Sequence, residues 1–461
     1  MKKIPILLII IFLLSFPCFS VSFEGNGTAN SPYIISTVSE FTEYAECVNS
    51  GNGNYSDAHI KLSSNLDFYG ENYVIIGNAE HPFSGVFDGD GYIIRNISIS
   101  DISENTYSDG VFIGMFGYAQ DAVFKNIYLE NMSVVISDSK TSNDVYVGSV
   151  CGKIDGQVTF EQCGINGKIN LKMSKAKIIT GGIVGGVSSS NSGLRIENSF
   201  SDMDITVSSS KRIFAGGIAG NVEINGSGSF FEIGNVYYSG DLSVQESGSS
   251  YVFAGGIVAY AIYEPDWESV LYSADENIHL SNTNSNIANS FSNCTISVNT
   301  NNCYIGQICG YADGVKSNNV YCSSNQSQGN NGYAIQGIQV SPHYFADNTF
   351  ISETLCFDTQ NIWSCKKDRL TLSKSDINNI YAVYSNGVVT VNGIVKGHSS
   401  DIVIVAIKNS DGRLLSIGIT ACGELNDYDI NCNEYPYVVQ ILVLNSEAFP
   451  KPASDDLNIL I

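Results

Sequence analysis

The chain has little positive charge. Its 461 residues include 23 Lys and Arg against 46 Asp and Glu, for a formal net charge of −23. Only Arg95, Arg195, Arg212, Arg369 and Arg413 are arginines, and they are scattered along the sequence. This balance opposes nucleic acid and anionic membrane surfaces, and it offers no clustered basic readout of phosphate or uronate. Histidine is sparse too. His59, His81, His279, His343 and His398 are dispersed, and the C-x5-C spacing of Cys303 and Cys309 lacks the short pairs of a structural zinc site, so no metal centre is expected. G-x-S-x-G and H-E-x-x-H are both missing, which removes the serine-hydrolase elbow and the zincin helix.

Long apolar runs are absent except at the start. Lys2 and Lys3 precede an apolar run from Ile6 to Leu14 and a stretch ending in Ser20, the pattern of a secretory signal peptide over residues 1–20. The run is too short to span a bilayer, and no second one follows. The expected protein is therefore exported, either secreted or associated with a cell surface. Losing Lys2 and Lys3 takes the formal charge from −23 to −25. Of 12 cysteines only Cys18 falls in the leader, which leaves an odd number for an oxidising compartment. Cys356 with Cys365, and Cys422 with Cys432, are close enough in sequence to close small disulfide loops, whereas Cys151 and Cys309 sit in an apolar motif and are expected as buried thiols.

What the chain has in quantity is glycine. Aligned on one glycine, the stretches "FIGMFG", "YVGSVCG", "ITGGIVG", "FAGGIAG", "FAGGIVA" and "YIGQICG" place Gly114, Gly148, Gly181, Gly216, Gly255 and Gly306 at spacings of 34, 33, 35, 39 and 51. A period near 34 with growing insertions marks a solenoid whose loops vary in length. The lines alternate small and apolar residues rich in Ile, Val, Phe and Tyr, so they predict strands. No line runs on into a helical pattern, so the glycines do not form a phosphate-cradling loop, and no cofactor is expected. After each glycine line comes a second line with an amide at one place, Asn126, Gln162, Asn198, Asn235, Asn289 and Asn319, with Asn96 beginning the column. Stacked amides of this kind are expected to hydrogen-bond from rung to rung. The glycines are expected where the chain bends and a side chain would collide with its neighbours.

The glycine lines followed by asparagine lines resemble the GLUG-motif repeats of secreted and surface-attached bacterial proteins, with "IGMFG" closest to the core of that motif. The resemblance covers about residues 23–327 and implies a right-handed parallel β-helix, but it implies little about activity, since such repeats accompany adhesins, peptidases and proteins of no known role. The expected organisation is all-β: a β-helix over residues 21–365, capped by a short helix in "VSEFTEYAECVN"; a polar linker over 366–379; and a small β-sandwich over 380–461. The last segment reads as five strands and looks like the carboxyl-terminal sandwich modules of secreted clostridial-type proteins.

Three places carry candidate chemistry. "FDGDG" offers Asp88 and Asp90 as calcium oxygens, but the later ligands of an EF-type loop are missing, and a turn is the expected role. Asp202 and Asp204 share one face of a strand and are the pair that a glycan-cleaving enzyme would use. The insertion "EPDWESVLYSADENIHLSNTNSN" carries Trp267 and Tyr272 outside the repeat, as a loop that stacks a sugar ring would. Two functions follow. One is an adhesin-like, non-enzymatic surface or matrix protein that binds a glycan or an extracellular protein through its loops; the other is a β-helix polysaccharide lyase or glycoside hydrolase built on the paired carboxylates.

Overall fold

The structure, a computed structural model, describes residues 23–51, 55–102, 106–190, 192–226, 229–265, 285–324, 332–366, 369–372, 381–385, 388–395, 402–409, 413–421, 423–432, 438–444 and 457–460. The leader over 1–20, Trp267, Tyr272, Cys422 and residues 373–379 of the expected linker lie outside the described residues.

The repeats form a parallel β-solenoid of about 5 turns. Its first face stacks Gly110–Ile113, Val145–Gly148, Ile178–Gly181, Ile213–Gly216, Val252–Gly255 and Cys303–Gly306, with the closing glycines in register. Its second face stacks Phe116–Gln120, Cys151–Asp155, Val184–Ser190, Ala219–Gly226, Val258–Pro265 and Cys309–Asp313. A third face, bent at its middle, carries the asparagine lines, from Val123–Lys125 and Tyr128–Asp138 up to Lys316–Cys322. Alternation sends Val111, Ile113, Val145 and Val147 into one continuous core and their neighbours Phe112 and Tyr146 outward.

The glycine column has a steric cause. A methyl group on Gly216 would lie 1.9 Å from the carbonyl oxygen of Ala219, and one on Gly181 would lie 2.1 Å from that of Val184. The bend between the first two faces is so tight that the carbonyl three residues on fills the place of a side chain.

The amide column bonds from rung to rung as expected at two places, and it also has a backbone role. Asn126, Gln162, Asn198, Asn235, Asn289 and Asn319 all have φ between 48° and 55°, the left-handed region that asparagine tolerates better than other residues with side chains. Each marks the bend of the third face. Rung-to-rung bonds accompany the bend, as Asn235 Nδ2 donates to Asn198 Oδ1 at 3.2 Å and Asn319 Nδ2 to Asn289 Oδ1 at 2.8 Å. Asn96 does not begin this column. It pairs with Asp67 and Asn131 in a neighbouring one, while the Asn126 amide rests on Asp88 at 2.7 Å. The register explains the difference, since Asp88 aligns with Lys125 but Arg95 aligns with Glu130.

The helix Val38–Asn49 covers the lower rungs. Thr37 caps it in a reciprocal capping box with Glu40, and its buried face includes Phe41, whose ring packs against Phe68 and Phe87. Burial alone would raise the Glu40 carboxyl, but hydrogen bonds from Ser36 and Thr37 hold it below its ordinary value.

Residues beyond the last rung fold back along the outside of the third face. There the ladder Tyr128, Phe200, Tyr237 and Phe291 faces outward and is covered by Phe345, Ile351, Leu355, Phe357, Trp363 and Leu370. Trp363 is wholly buried, 4.9 Å from Phe357 and 5.9 Å from Tyr237 between ring centroids. Tyr237 Oη donates to the Leu370 carbonyl at 2.6 Å, and Asn319 Nδ2 donates to the Thr354 carbonyl at 2.6 Å. Arg369–Leu372, within the stretch expected as a linker, pairs antiparallel with Trp363–Lys366, and Leu370 and Leu372 supply the apolar anchors that hold it to this strap.

The carboxyl-terminal segment holds two antiparallel sheets, one of Tyr381–Ser385, Val388–Val395 and Gly423–Asn431, the other of Leu414–Ala421, Ile402–Lys408, Val438–Leu444 and Leu457–Leu460. The five expected strands are all present, joined by Gly423–Asn431 and Leu457–Leu460. The first of these additions is too acidic and polar in sequence to signal a strand. The sheets touch where Tyr428 Oη donates to the Ile419 carbonyl at 3.1 Å.

Candidate functional site

The bend at the glycines is re-entrant, so outward side chains of the first two faces meet in a seam that runs the length of the solenoid. One wall presents Phe112, Tyr146, Ile179, Phe214, Phe253 and Tyr304, and the other presents Tyr118, Lys153, Gly186, Asn221, Tyr260 and Tyr311. Rings stack within a wall at the rung spacing: Phe214 on Phe253 at 4.9 Å, Phe253 on Tyr304 at 5.1 Å and Tyr260 on Tyr311 at 4.9 Å. Across the seam they meet edge to face, with Phe112 and Tyr118 at 5.1 Å and Tyr304 and Tyr311 at 5.3 Å. Half-exposed Tyr251 and Tyr333 extend the aromatic surface to solvent.

Polar groups punctuate the rings. Lys153 Nζ stands 5.2 to 5.5 Å from the ring centres of Tyr146, Phe112 and Tyr118, a cation held by three ring systems. Lys177 Nζ lies 5.9 Å from the Phe214 ring and 2.5 Å from an Asp144 oxygen. Asn221 is buried with its Oδ1 unpartnered. Burial and then the charges of Asp155 and Asp109 raise the Tyr118 phenol to about 12; burial, then Asp144 and Glu223, do the same for Tyr146, and burial, then Glu223, for Tyr260. These phenols stay neutral at any physiological pH. One wall is buried from Phe112 to Phe253, whereas Tyr118, Tyr260, Tyr304 and Tyr311 are half-buried, so the seam offers ring rims and phenol hydroxyls to an amphipathic partner.

A second concavity of about 1110 Å³ lies beneath residues 68–75, lined by exposed Tyr69 and by Asn96, Ser98, Asn131, Ser133 and Lys168.

The residues singled out in the sequence have other work. Asp202 and Asp204 do face the same way, but the Ser239 hydroxyl donates to Asp202, and the Asp241 amide donates to Asp204 at 3.1 Å, so the pair steadies the turn of the next rung. Asp88 accepts the Asn126 amide, the Asp90 backbone N–H at 2.9 Å and Lys125 at 3.3 Å, while Asp90 pairs with Lys61 at 3.1 Å. Both carboxylates therefore belong to a turn. Burial alone would raise Asp88, but these partners hold it below its ordinary value.

The expected bridge between Cys356 and Cys365 does not form. Cys356 is exposed at φ 57°, whereas Cys365 turns inward and donates its thiol to the Ala346 carbonyl at 2.8 Å. Cys432 is buried, and its expected partner Cys422 lies outside the described residues. Cys151 and Cys309 are buried thiols in the core; burial raises both, Cys309 to about 12. The insertion bearing Trp267 and Tyr272 leaves from the end of Val258–Pro265, the strand that carries Tyr260.

The seam was missed in the sequence, although a signal existed. An aromatic residue stands two places before the glycine in five of the six glycine lines, with Ile179 the exception. It reads as core until the tight bend shows that this parity faces out.

The fold and seam define an all-β protein built on a parallel solenoid with a largely buried aromatic seam outside its main core. No family model matches the chain. Over 154 residues it is 29% identical to a halomucin from Haloquadratum walsbyi, covering 29% of this chain and 2% of that protein. Over 137 residues it is 26% identical to a protein described as a Gly-rich membrane protein from Evansella cellulosilytica, covering 30% of this chain and 15% of that protein. The chain thus matches a small part of each relative's length.

Proposed function

We propose that this is an exported, non-enzymatic surface or matrix protein, adhesin-like, that holds a glycan or an extracellular protein along its aromatic seam. The observation that carries this reading is the double row of rings outside the core from Phe214 to Tyr333, buried at Phe214 and Phe253 but part-exposed at Tyr260, Tyr304 and Tyr311 and open to solvent at Tyr251 and Tyr333. Phe214 and Phe253 are buried within the stack, so a chain of sugars or an extended peptide would meet the rims of the rows, chiefly at half-exposed Tyr251 and Tyr333. Trp267 and Tyr272, which lie outside the described residues, stay in this reading on their sequence alone, as candidates for stacking a sugar ring. The names of the two partial relatives agree with a surface setting. We read the repeats as GLUG-type, the winding as right-handed, as parallel crossovers almost always are, and the two carboxyl-terminal sheets as a sandwich of the clostridial type.

The test is a glycan array and a matrix-protein panel probed with the mature chain and with Tyr260→Ala, Tyr304→Ala and Trp267→Ala. Binding that drops tenfold or more in the tyrosine variants, with unchanged circular dichroism, supports the seam. Cleavage of a polysaccharide that is lost on replacing Asp202 and Asp204 would replace this function with the enzymatic one.

A further inference from the structure

The overhang of residues 68–75 holds one aromatic ring out in water on a fixed backbone. Phe68 and Tyr73 anchor it to the core: their rings meet at 5.0 Å and 71°, Phe68 packs on Phe41 at 5.4 Å, and Tyr73 Oη donates to the Met115 carbonyl at 3.0 Å. Between these anchors the Glu71 amide donates to the Phe68 carbonyl at 3.0 Å, and the Tyr69 amide donates to Asp67 Oδ1 at 3.0 Å. Yet the Tyr69 side chain is 84% exposed, more than any other large apolar residue among the described ones. A methyl group on its neighbour Gly70 would meet nothing within 4 Å. A ring already placed in this way loses little freedom when a ligand covers it.

Beneath the overhang lies the concavity of about 1110 Å³. One column of the third face lines it, in which Ser98 aligns with Ser133, and Ser133 with Lys168, on successive rungs. Ser98 and Lys168 are exposed, and Ser133 is half-buried. Beside this column runs a chain of amides: Asn96 Nδ2 donates to Asp67 Oδ1 at 2.7 Å, Asn131 Nδ2 donates to Asn96 Oδ1 at 2.6 Å, and the Asn131 backbone N–H donates to Asn166 Oδ1 at 2.8 Å. These bonds fix Asn131 and leave its Oδ1 as an acceptor on the concavity. Lys168 makes no ion pair among the described residues. The lining therefore combines hydroxyls that donate and accept, an amide oxygen that accepts and an ammonium that donates, the mixed set that a polyol needs. Glu46 and Glu71 also line it, and Asp204 follows Lys168 on the next rung, so carboxylates outnumber the one cation and disfavour an anionic ligand.

We infer that the concavity under Tyr69 is a binding site for a neutral oligosaccharide, with a sugar ring stacked on Tyr69 and its hydroxyls on Ser98, Ser133, Asn131 and Lys168. An aromatic face with a few placed polar groups is the usual make-up of a small-molecule site, and the volume stands at the upper end of the range of about 300–1,000 Å³, which leaves room for more than one sugar unit. The site shares no residue with the seam. It stands whether or not the seam holds a partner.

The probes are soluble cello-, malto-, manno-, xylo- and chito-hexaoses, with hexagalacturonate as the acidic comparison, titrated into the mature chain by calorimetry and saturation-transfer NMR. At least one neutral hexaose should bind. Tyr69→Ala should weaken it about tenfold or more, and Tyr69→Trp should restore it; the ring is exposed, so both chains should keep the wild-type circular dichroism. Ser98→Trp, which fills the concavity from an exposed position, should abolish binding, whereas Tyr260→Ala and Tyr304→Ala in the seam should leave it unchanged. The inference is overturned if no neutral hexaose binds, if Tyr69→Ala binds as tightly as wild type, if binding survives Ser98→Trp or falls with the seam variants, or if hexagalacturonate binds more tightly than every neutral hexaose.

Discussion

Replacing Trp363 with alanine isolates the strap from the solenoid that it covers. The indole is wholly buried, with ring neighbours at 4.9 Å (Phe357), 5.9 Å (Tyr237) and 6.4 Å (Phe200), and its Nε1 donates to Asn198 Oδ1 at a long 3.4 Å. Truncating a buried tryptophan typically costs about 3–5 kcal/mol, and a hydrogen bond that long adds little. The loss should fall on the strap, because each rung keeps its own neighbours above and below. Opening of residues 342–366 should then become about a hundredfold to several thousandfold more frequent, while the rungs keep their protection. Hydrogen exchange read by mass spectrometry resolves the two regions, and in a Trp267→Phe background the emission of Trp363 reports the same opening during denaturant titration. Exchange over 342–366 that stays within threefold of wild type would refute the assignment. Uniform loss of protection across strap and rungs would show instead that strap and solenoid fold as one unit.

Three further outcomes follow. If left-handed backbone is the reason for the amide column, Asn235→Ala should cost about 1–2 kcal/mol and Asn235→Gly distinctly less; equal costs in chemical denaturation would mean that the rung-to-rung bond dominates. Asp88 is held below its ordinary value in the fold, so its stabilising contribution is present above about pH 4 and is lost as pH falls through its lowered value; the stability gap between wild type and Asp88→Asn should be flat from pH 5 to 7 and shrink below about pH 4, and a gap that widens on acidification contradicts this. Cys356 should react with a maleimide in the native protein while Cys151 and Cys309 react only after unfolding, a pattern that peptide mapping of labelled chains reads directly.

The columns were legible in the sequence because a solenoid repeats its local problem once per rung, and the same solution recurs at the same spacing. Gly181 and Gly216 showed where a side chain has no room, and the amides showed a second column without showing that it marks a turn. The reason for the amides was less legible, because hydrogen-bond ladders and left-handed backbone both select asparagine; φ 53° at Gln162, a residue with little taste for that region, favours the backbone. Asn96 misled because one column can be mistaken for its neighbour when the early rungs lack the glycine line. Trp363 carried no local signal, since its partner Asn198 is 165 residues away. The lysines carried no sequence signal, yet the fold brings Lys153 and Lys177 onto rings of the same seam.

The strap also changes how the molecule bears force. A bare stack pulled from its end would shed rungs singly, each rupture loading only the next pair of edges. Here one segment is fastened at Asn198, Tyr237, Phe291 and Asn319, which lie on successive levels of the third face. Tension that reaches any one of these levels is shared by the others through the strap, as a splint shares a load across a row of joints. Peeling from the upper end must therefore strip the splint before it can release a rung, and the unit that yields is several turns thick.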